Sequence, residues 1–148
     1  MDIDHLERAL GLAFRAHAGQ VDKLGEPYIG HVVRVAAAVS GVERQCVALL
    51  HDIVEDTSTS LDELAKVFPS EVVRAVDAMT KRPNEGYHDY LERVAADPVA
   101  LDVKLADMAD NCAPRRLMGL AEADGQRLAK KYEEARSVLL SRRADTSC

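Results

Sequence analysis

Four side chains able to hold a cation or move a proton crowd into six residues, His51-Asp52-Ile53-Val54-Glu55-Asp56, directly after the apolar run Val47-Ala48-Leu49-Leu50. On a continuous helix Glu55 falls one turn after His51, and Asp56 one turn after Asp52, so all four share a face. Three carboxylates and an imidazole at that density repel one another and lose hydration. A cation offsets both costs. A solvated acidic helix end is the alternative reading, and the adjoining apolar run argues against it.

Two more residues complete a cation site on paper. His31 lies on a small-residue segment and Asp107 on a segment carrying Val103, Leu105 and Ala106, so both can point into a helical interior. Taken singly, His31 also reads as a core histidine and Asp107 as an ordinary polar helix residue. Together with His51 and Asp52 they make two imidazoles and two carboxylates. That set suits Mn, Fe, Co, Ni or Zn better than Mg or Ca, which favour oxygen shells. Glu55 and Asp56, one turn on, are placed to orient a water or pass a proton to a leaving oxygen.

The elements that must position these residues all read as helices. Apolar residues recur at three- and four-residue steps over 4–18, 29–39, 43–55, 70–79, 87–96, 98–112 and 122–140. Ser60-Leu61-Asp62-Glu63 is a capping box opening a further short helix to Phe68. Asp97-Pro98 is a cap followed by a first-turn proline, and Pro114 is expected to interrupt the helix before it. Gly25 and Pro27 mark 20–28 as a loop. No stretch alternates with period two. The expectation is one all-α domain, a bundle of about seven to nine helices by the periodicity rule, over residues 1–143, with 144–148 a flexible tail.

A length of 148 residues suffices for one real core. The net charge of −6 speaks against a nucleic-acid surface but leaves room for a small phosphorylated ligand held by local cations. Lys81 and Arg82 in the 81–86 loop, and Lys104 one turn before Asp107, are candidate cations of that kind. An ordinary charged surface is the other reading, and the favoured one for Arg115-Arg116. No apolar run approaches the roughly 20 residues of a membrane span, and Met1-Asp2-Ile3-Asp4 does not read as a signal peptide. Cys46, Cys112 and Cys148 show no CxxC spacing and fit a reduced, cytoplasmic chain.

The order His31, His51-Asp52, Asp107 resembles the H…HD…D pattern of the HD phosphohydrolase superfamily. Ala16-His17-Ala18-Gly19-Gln20, Gly25-Glu26-Pro27-Tyr28-Ile29-Gly30-His31, His51-Asp52-Ile53-Val54-Glu55-Asp56-Thr57 and Val103-Lys104-Leu105-Ala106-Asp107 with Asn111 narrow the likeness. Together they resemble the alarmone hydrolase domain of RelA/SpoT proteins, here at the length of a stand-alone small alarmone hydrolase. The resemblance spans roughly residues 5–140. It implies an HD-type helical bundle and an Mn²⁺-dependent enzyme that removes pyrophosphate from the 3′ position of (p)ppGpp. It also implies His31, His51, Asp52 and Asp107 as metal ligands, and Glu55 and Asp56 as the residues that activate water. Lys23 would reach substrate phosphate or base, and Asn111 the ribose.

The chain departs from that pattern in three places. Asp22-Lys23-Leu24 stands where the family has Arg-Lys-Ser, so the arginine expected against guanine is an acid. Met108-Ala109-Asp110 replaces Arg-Leu-His, and Pro114 replaces a threonine. All three are assigned here to the nucleotide pocket. Loss of a planar cation weakens stacking by about 1 kcal/mol and brings ppApp, or NADPH as a 2′-phosphate substrate, into consideration. A nucleotidase of the same superfamily, or a nucleotide sensor without turnover, are the rival functions. The motifs around Gly25 and Glu55 count against the first, and the full ligand set against the second. Neither nucleic acid nor membrane is an expected partner, and the sequence leaves the oligomeric state open.

Overall fold

Asp2 starts the first helix, α1 (Ile3–Ala16), by accepting the His5 amide with its side chain. α1 buries Ala9 and Ala13 and stops at His17, two residues before Gly19, whose φ of 78° continues no helix. The 20–28 loop closes on itself: the Tyr28 amide donates to the Gln20 carbonyl and the Asp22 amide to that of Glu26, around Gly25 at φ 80°. The chain then enters α2 (Ile29–Ala37), which turns His31, Val32 and Val35 inward.

The computed structural model describes residues 1–146, and over them the chain is all-α, as the periodicity predicts. After α2 come α3 (Val42–Leu50), α4 (Ile53–Asp56), α5 (Leu61–Ala65), α6 (Ser70–Met79) and α7 (Tyr87–Ala95). α8 (Pro98–Asn111), α9 (Pro114–Met118) and α10 (Glu122–Thr146) complete them. α3 is the centre. Cys46 to Leu50 are buried on every side, against α1, α2, α6 and α8, as expected of a helix apolar all round. The capping box at Ser60 and the Asp97 cap with Pro98 are both formed.

Three local expectations are corrected. The helix foreseen over 43–55 breaks at His51-Asp52. Asp52 has φ −103° and ψ 1°, outside the helical region, and only the single turn α4 resumes after it. Counting α4 with α3, the ten helical segments among the described residues become nine. Pro114 does more than interrupt: it occupies the first turn of α9, where a missing N–H costs nothing. α10 continues to Thr146, so part of the tail expected from residue 144 is helical. Residues 147–148 lie outside the described residues.

Candidate metal centre

The break at Asp52 builds the site. On an unbroken helix neighbouring side chains diverge by about 100°. Here the His51 ring and the Asp52 carboxylate converge, with Nε2 to Oδ2 at 2.9 Å. From α8, Asp107 Oδ1 lies 3.3 Å from the same nitrogen and 2.8 Å from His31 Nε2. One donor atom each from His31, His51, Asp52 and Asp107 falls within 4.8 Å of the others. His31, His51 and Asp107 are 2%, 1% and 5% exposed.

The protonation pattern tests whether a cation belongs there. His51 Nδ1 lies 2.6 Å from the Ala48 carbonyl, which can only accept, so Nδ1 carries the hydrogen. Nε2 of the neutral ring is then bare, and it is a buried nitrogen with no hydrogen-bond partner. It faces two carboxylate oxygens, none of which can donate. That arrangement is repulsive unless a positive charge sits among them. Burial works against a charged His51, yet Asp52 and Asp107 outweigh it and hold the imidazole well above its ordinary value. Burial likewise opposes ionised Asp107, and Lys104 and His51 outweigh it, keeping the carboxyl well below the usual range. Two imidazoles and two ionised carboxylates that demand a cation fit a divalent metal.

Around the quartet lies a second set of contacts. The Tyr28 hydroxyl donates to Asp52 Oδ2. Burial first, then the Asp52 charge, pushes that phenol far above its ordinary value, so it stays a donor. Lys104 Nζ is 3.1 Å from Asp107 Oδ2 and 5.3 Å from the Tyr90 ring, and Asn111 Nδ2 donates to Asp107 Oδ1 at 3.2 Å. Lys104 therefore sits in the metal layer, its charge engaged by Asp107. Glu55 and Asp56 are not a buried extension of the quartet, as one continuous helix would make them. They are exposed, one turn outward at its rim. Glu55 Oε1 accepts the Lys81 amide, so residue 81 acts here through its backbone. Loss of hydration and the Asp52 charge raise both carboxyls above the ordinary range, against the Lys81 amide at Glu55.

Beside the quartet opens a cleft of about 280 Å³, lined among others by Lys23, Leu24, Tyr28, Asn111, Leu128 and Tyr132. It brings Lys23 and Asn111 together, while Lys81 does not line it. Asp22 and Leu24 line it, as assigned. The other departures do not belong to it. Met108 is 3% exposed and sits in the core, Pro114 is exposed, and Asp110 stands behind His31, with Oδ2 at 2.7 Å from Nδ1. Local sequence reading also missed Arg116, Tyr132 and Lys131. Arg116 is 9% exposed rather than a surface cation. Its Nη1 donates to Asp110 Oδ2 at 2.7 Å and its Nη2 to Asp22 Oδ2 at 3.3 Å. The signal was present only as complementary charge: two acids that depart from the family pattern, Asp22 and Asp110, and an arginine at position 116. Lys131 Nζ lies 4.7 Å from the Tyr87 ring, and loss of hydration together with Lys104, Lys81 and Lys23 lowers its affinity for a proton.

Residues 9–147 match the HD domain family. The chain belongs to that family. It is 31% identical to the guanosine-3′,5′-bis(diphosphate) 3′-pyrophosphohydrolase of Aquifex aeolicus, over 94% of this chain and 21% of that protein. It is also 31% identical to the bifunctional (p)ppGpp synthase/hydrolase SpoT of Escherichia coli K12, over 95% and 22%. The GTP pyrophosphokinase of Myxococcus xanthus is 30% identical over 95% and 21%. The chain thus spans about a fifth of the length of these curated relatives. A solved structure described as a metazoan ortholog of SpoT that hydrolyses ppGpp superposes with a TM-score of 0.71 at 25% identity, covering 94% of this chain and 95% of that one. No helix among the described residues is long and apolar enough to cross a membrane.

Proposed function

We propose that this HD domain is an Mn²⁺-dependent hydrolase that removes the 3′-pyrophosphate of (p)ppGpp or (p)ppApp. The observation that carries the reading is the buried quartet itself: one donor atom each from His31, His51, Asp52 and Asp107 within 4.8 Å of the others, beside a cleft of about 280 Å³. The relatives' names include both hydrolase and pyrophosphokinase activities, and a buried His-Asp quartet supports the hydrolytic one. The neighbour described as hydrolysing ppGpp matches over 94% of this chain, which supports the hydrolase reading.

In this reading His31, His51, Asp52 and Asp107 hold the metal, which when bound supplies Lewis acidity toward phosphoryl oxygens. Glu55 and Asp56 orient the attacking water from the rim and take its proton; loss of hydration and the Asp52 charge raise the proton affinity of both, in the direction a base requires. Tyr28 holds Asp52 in place. Lys23 and Lys131 present cations to the pyrophosphate, and Asn111 faces the ribose. Asp22 offers nothing to a base. Its Oδ1 accepts the Leu24 and Glu26 amides and its Oδ2 accepts from Arg116. Stacking on a cation at position 22 is therefore absent, and adenine stands beside guanine as a substrate base. The small-molecule nucleotide is the partner; the net charge of −6 speaks against a general nucleic-acid surface, and a cytoplasmic location suits such a substrate.

The test is a product assay with Mn²⁺ on ppGpp, ppApp and NADPH side by side. Pyrophosphate release from ppGpp or ppApp is expected, and their ratio reads the base preference. Phosphate release from NADPH alone would overturn the 3′-pyrophosphate reading. So would absence of turnover in protein shown to hold its metal.

A further inference from the structure

The departures at positions 22 and 110 from the RelA/SpoT pattern are joined by one side chain. Arg116, on α9, bridges the carboxylates of Asp22 on the cleft turn and Asp110 on α8. Asp110 in turn meets His31 Nδ1 at 2.7 Å, and the opposite face of that ring presents Nε2 to the metal quartet. We propose that Arg116 and Asp110 are positioning residues that tie the cleft turn at Asp22 to His31, so that metal affinity depends on a contact made at the substrate cleft. The inference rests on the metal-centre reading.

Asp110 is saturated. Oδ1 accepts Arg34 Nε at 2.8 Å; Oδ2 accepts His31 Nδ1, Arg116 Nη1 at 2.7 Å and Arg34 Nη2 at 3.3 Å. Both ring nitrogens of His31 face carboxylates, Nδ1 that of Asp110 with Arg116 Nη1 3.2 Å away, and Nε2 that of Asp107; a cation held at Nε2 leaves the ring hydrogen on Nδ1, against Asp110. A carboxylate behind a ligating imidazole fixes its tautomer and ring angle and strengthens it as a donor. Arg34 and Arg116 do different work. Arg34 lies on the same helix as His31, one turn on, and is 37% exposed at its side chain. It cannot hold Asp110 against anything outside α2. Arg116 is buried and comes from another element, so it sets where Asp110, and through it the His31 ring, stands relative to the cleft.

The same arginine explains why an acid is tolerated at position 22. Asp22 already closes the turn through the Leu24 and Glu26 amides, and its second oxygen would be a buried, unpaired charge without Arg116. α9 packs close enough to fix the pairing: a Cβ on Gly119, just past its end, would stand 2.6 Å from a Leu24 methyl. Turn and helix end are therefore in direct contact beside the Arg116–Asp22 pair.

The test titrates purified apo-protein with Mn²⁺ alone, with the imidazole ¹⁵N resonances of His31 as a second readout. Asp110→Asn keeps the shape and is expected to weaken Mn²⁺ binding about 10- to 100-fold, the range for such outer partners, and to redistribute the His31 tautomer. Asp22→Asn keeps the acceptor for the turn amides and puts a donor against Arg116, cutting only the bridge. It is expected to weaken Mn²⁺ binding about fivefold or more, the low end of ordinary coupling between sites. Asp22→Asn also keeps the inference testable should Asp110→Asn fail to fold. Wild-type uptake of Mn²⁺ with unchanged affinity and His31 resonances in a folded Asp22→Asn protein would overturn the inference alone. A wild type that takes up no divalent ion would overturn the metal centre, and this inference with it.

Discussion

His51 presents its two ring nitrogens to opposite surroundings, a carbonyl that needs a hydrogen and a pair of carboxylates that need a cation. In the absence of metal a proton on Nε2 serves that need. The folded imidazole then binds its proton more tightly than the unfolded one, whose value is about 6.5. The stability this contributes is complete below that value and is lost as pH rises through the folded one. Metal must displace the same proton, so metal affinity should rise with pH across that window, each ion releasing protons. Titration in buffers of different ionisation enthalpy counts them. Affinity independent of pH would mean that His51 is not a ligand. Glu55, exposed at the rim, should separate binding from turnover. Glu55→Gln spares every ligand atom and is expected to retain Mn²⁺ while lowering kcat about 100-fold or more, the usual size of a lost acid–base group. Parallel metal titration and steady-state assays read the two effects.

The elements divide the work between stiffness and convergence. α3 is buried on every side from Cys46 to Leu50, which anchors His51 one residue later on a segment that cannot rotate without disturbing the core. Leu50 is fully buried, so Leu50→Ala should cost about 2–5 kcal/mol in a denaturant titration, the range for a truncated core leucine. Metal affinity measured on the residual folded fraction should fall with it, because the truncation loosens the end of the helix that carries His51. The two-residue break between α3 and α4 is as important as α3 itself. A helix carried through Asp52 would swing its carboxylate away from the His51 ring and bury Glu55 and Asp56 as neighbours in an unpaired acidic patch. The break keeps one carboxylate inside for a cation and sends two to water.

At the scale of the whole molecule, a chain of net charge −6 gathers Lys23, Lys81, Lys104 and Lys131 close enough together for the other three, with loss of hydration, to depress the proton affinity of Lys131. Such a cluster is unfavourable alone and is relieved by a polyanion. Lys131→Met is expected to raise KM for the alarmone about tenfold, near the loss of one charge-assisted hydrogen bond, with a smaller change in kcat. The wild-type KM should climb with added salt more steeply than that of the mutant. Equal salt dependence in the two proteins would remove Lys131 from the substrate site.

Helix type, most helix positions and the His51-Asp52 pair were legible in the sequence because each is encoded locally, whereas His31 and Asp107 became candidate ligands only in combination with that pair and through the H…HD…D resemblance. Apolar spacing reports a helical face, Ser60 and Asp97 report starts, and His51-Asp52 behind an apolar run reports an interior charge problem. Only the tertiary structure showed the break at Asp52, whose carboxylate meets the Tyr28 hydroxyl from the distant 20–28 loop and joins His31 and Asp107 from other helices. It alone turned Arg116 from an apparent surface cation into a buried link, since one partner, Asp22, lies 94 positions away and the other, Asp110, six positions away but on a different helix. Periodicity shows which way a side chain faces. Which charge it meets there depends on contacts between elements far apart in the chain, and those exist only once the helices have packed.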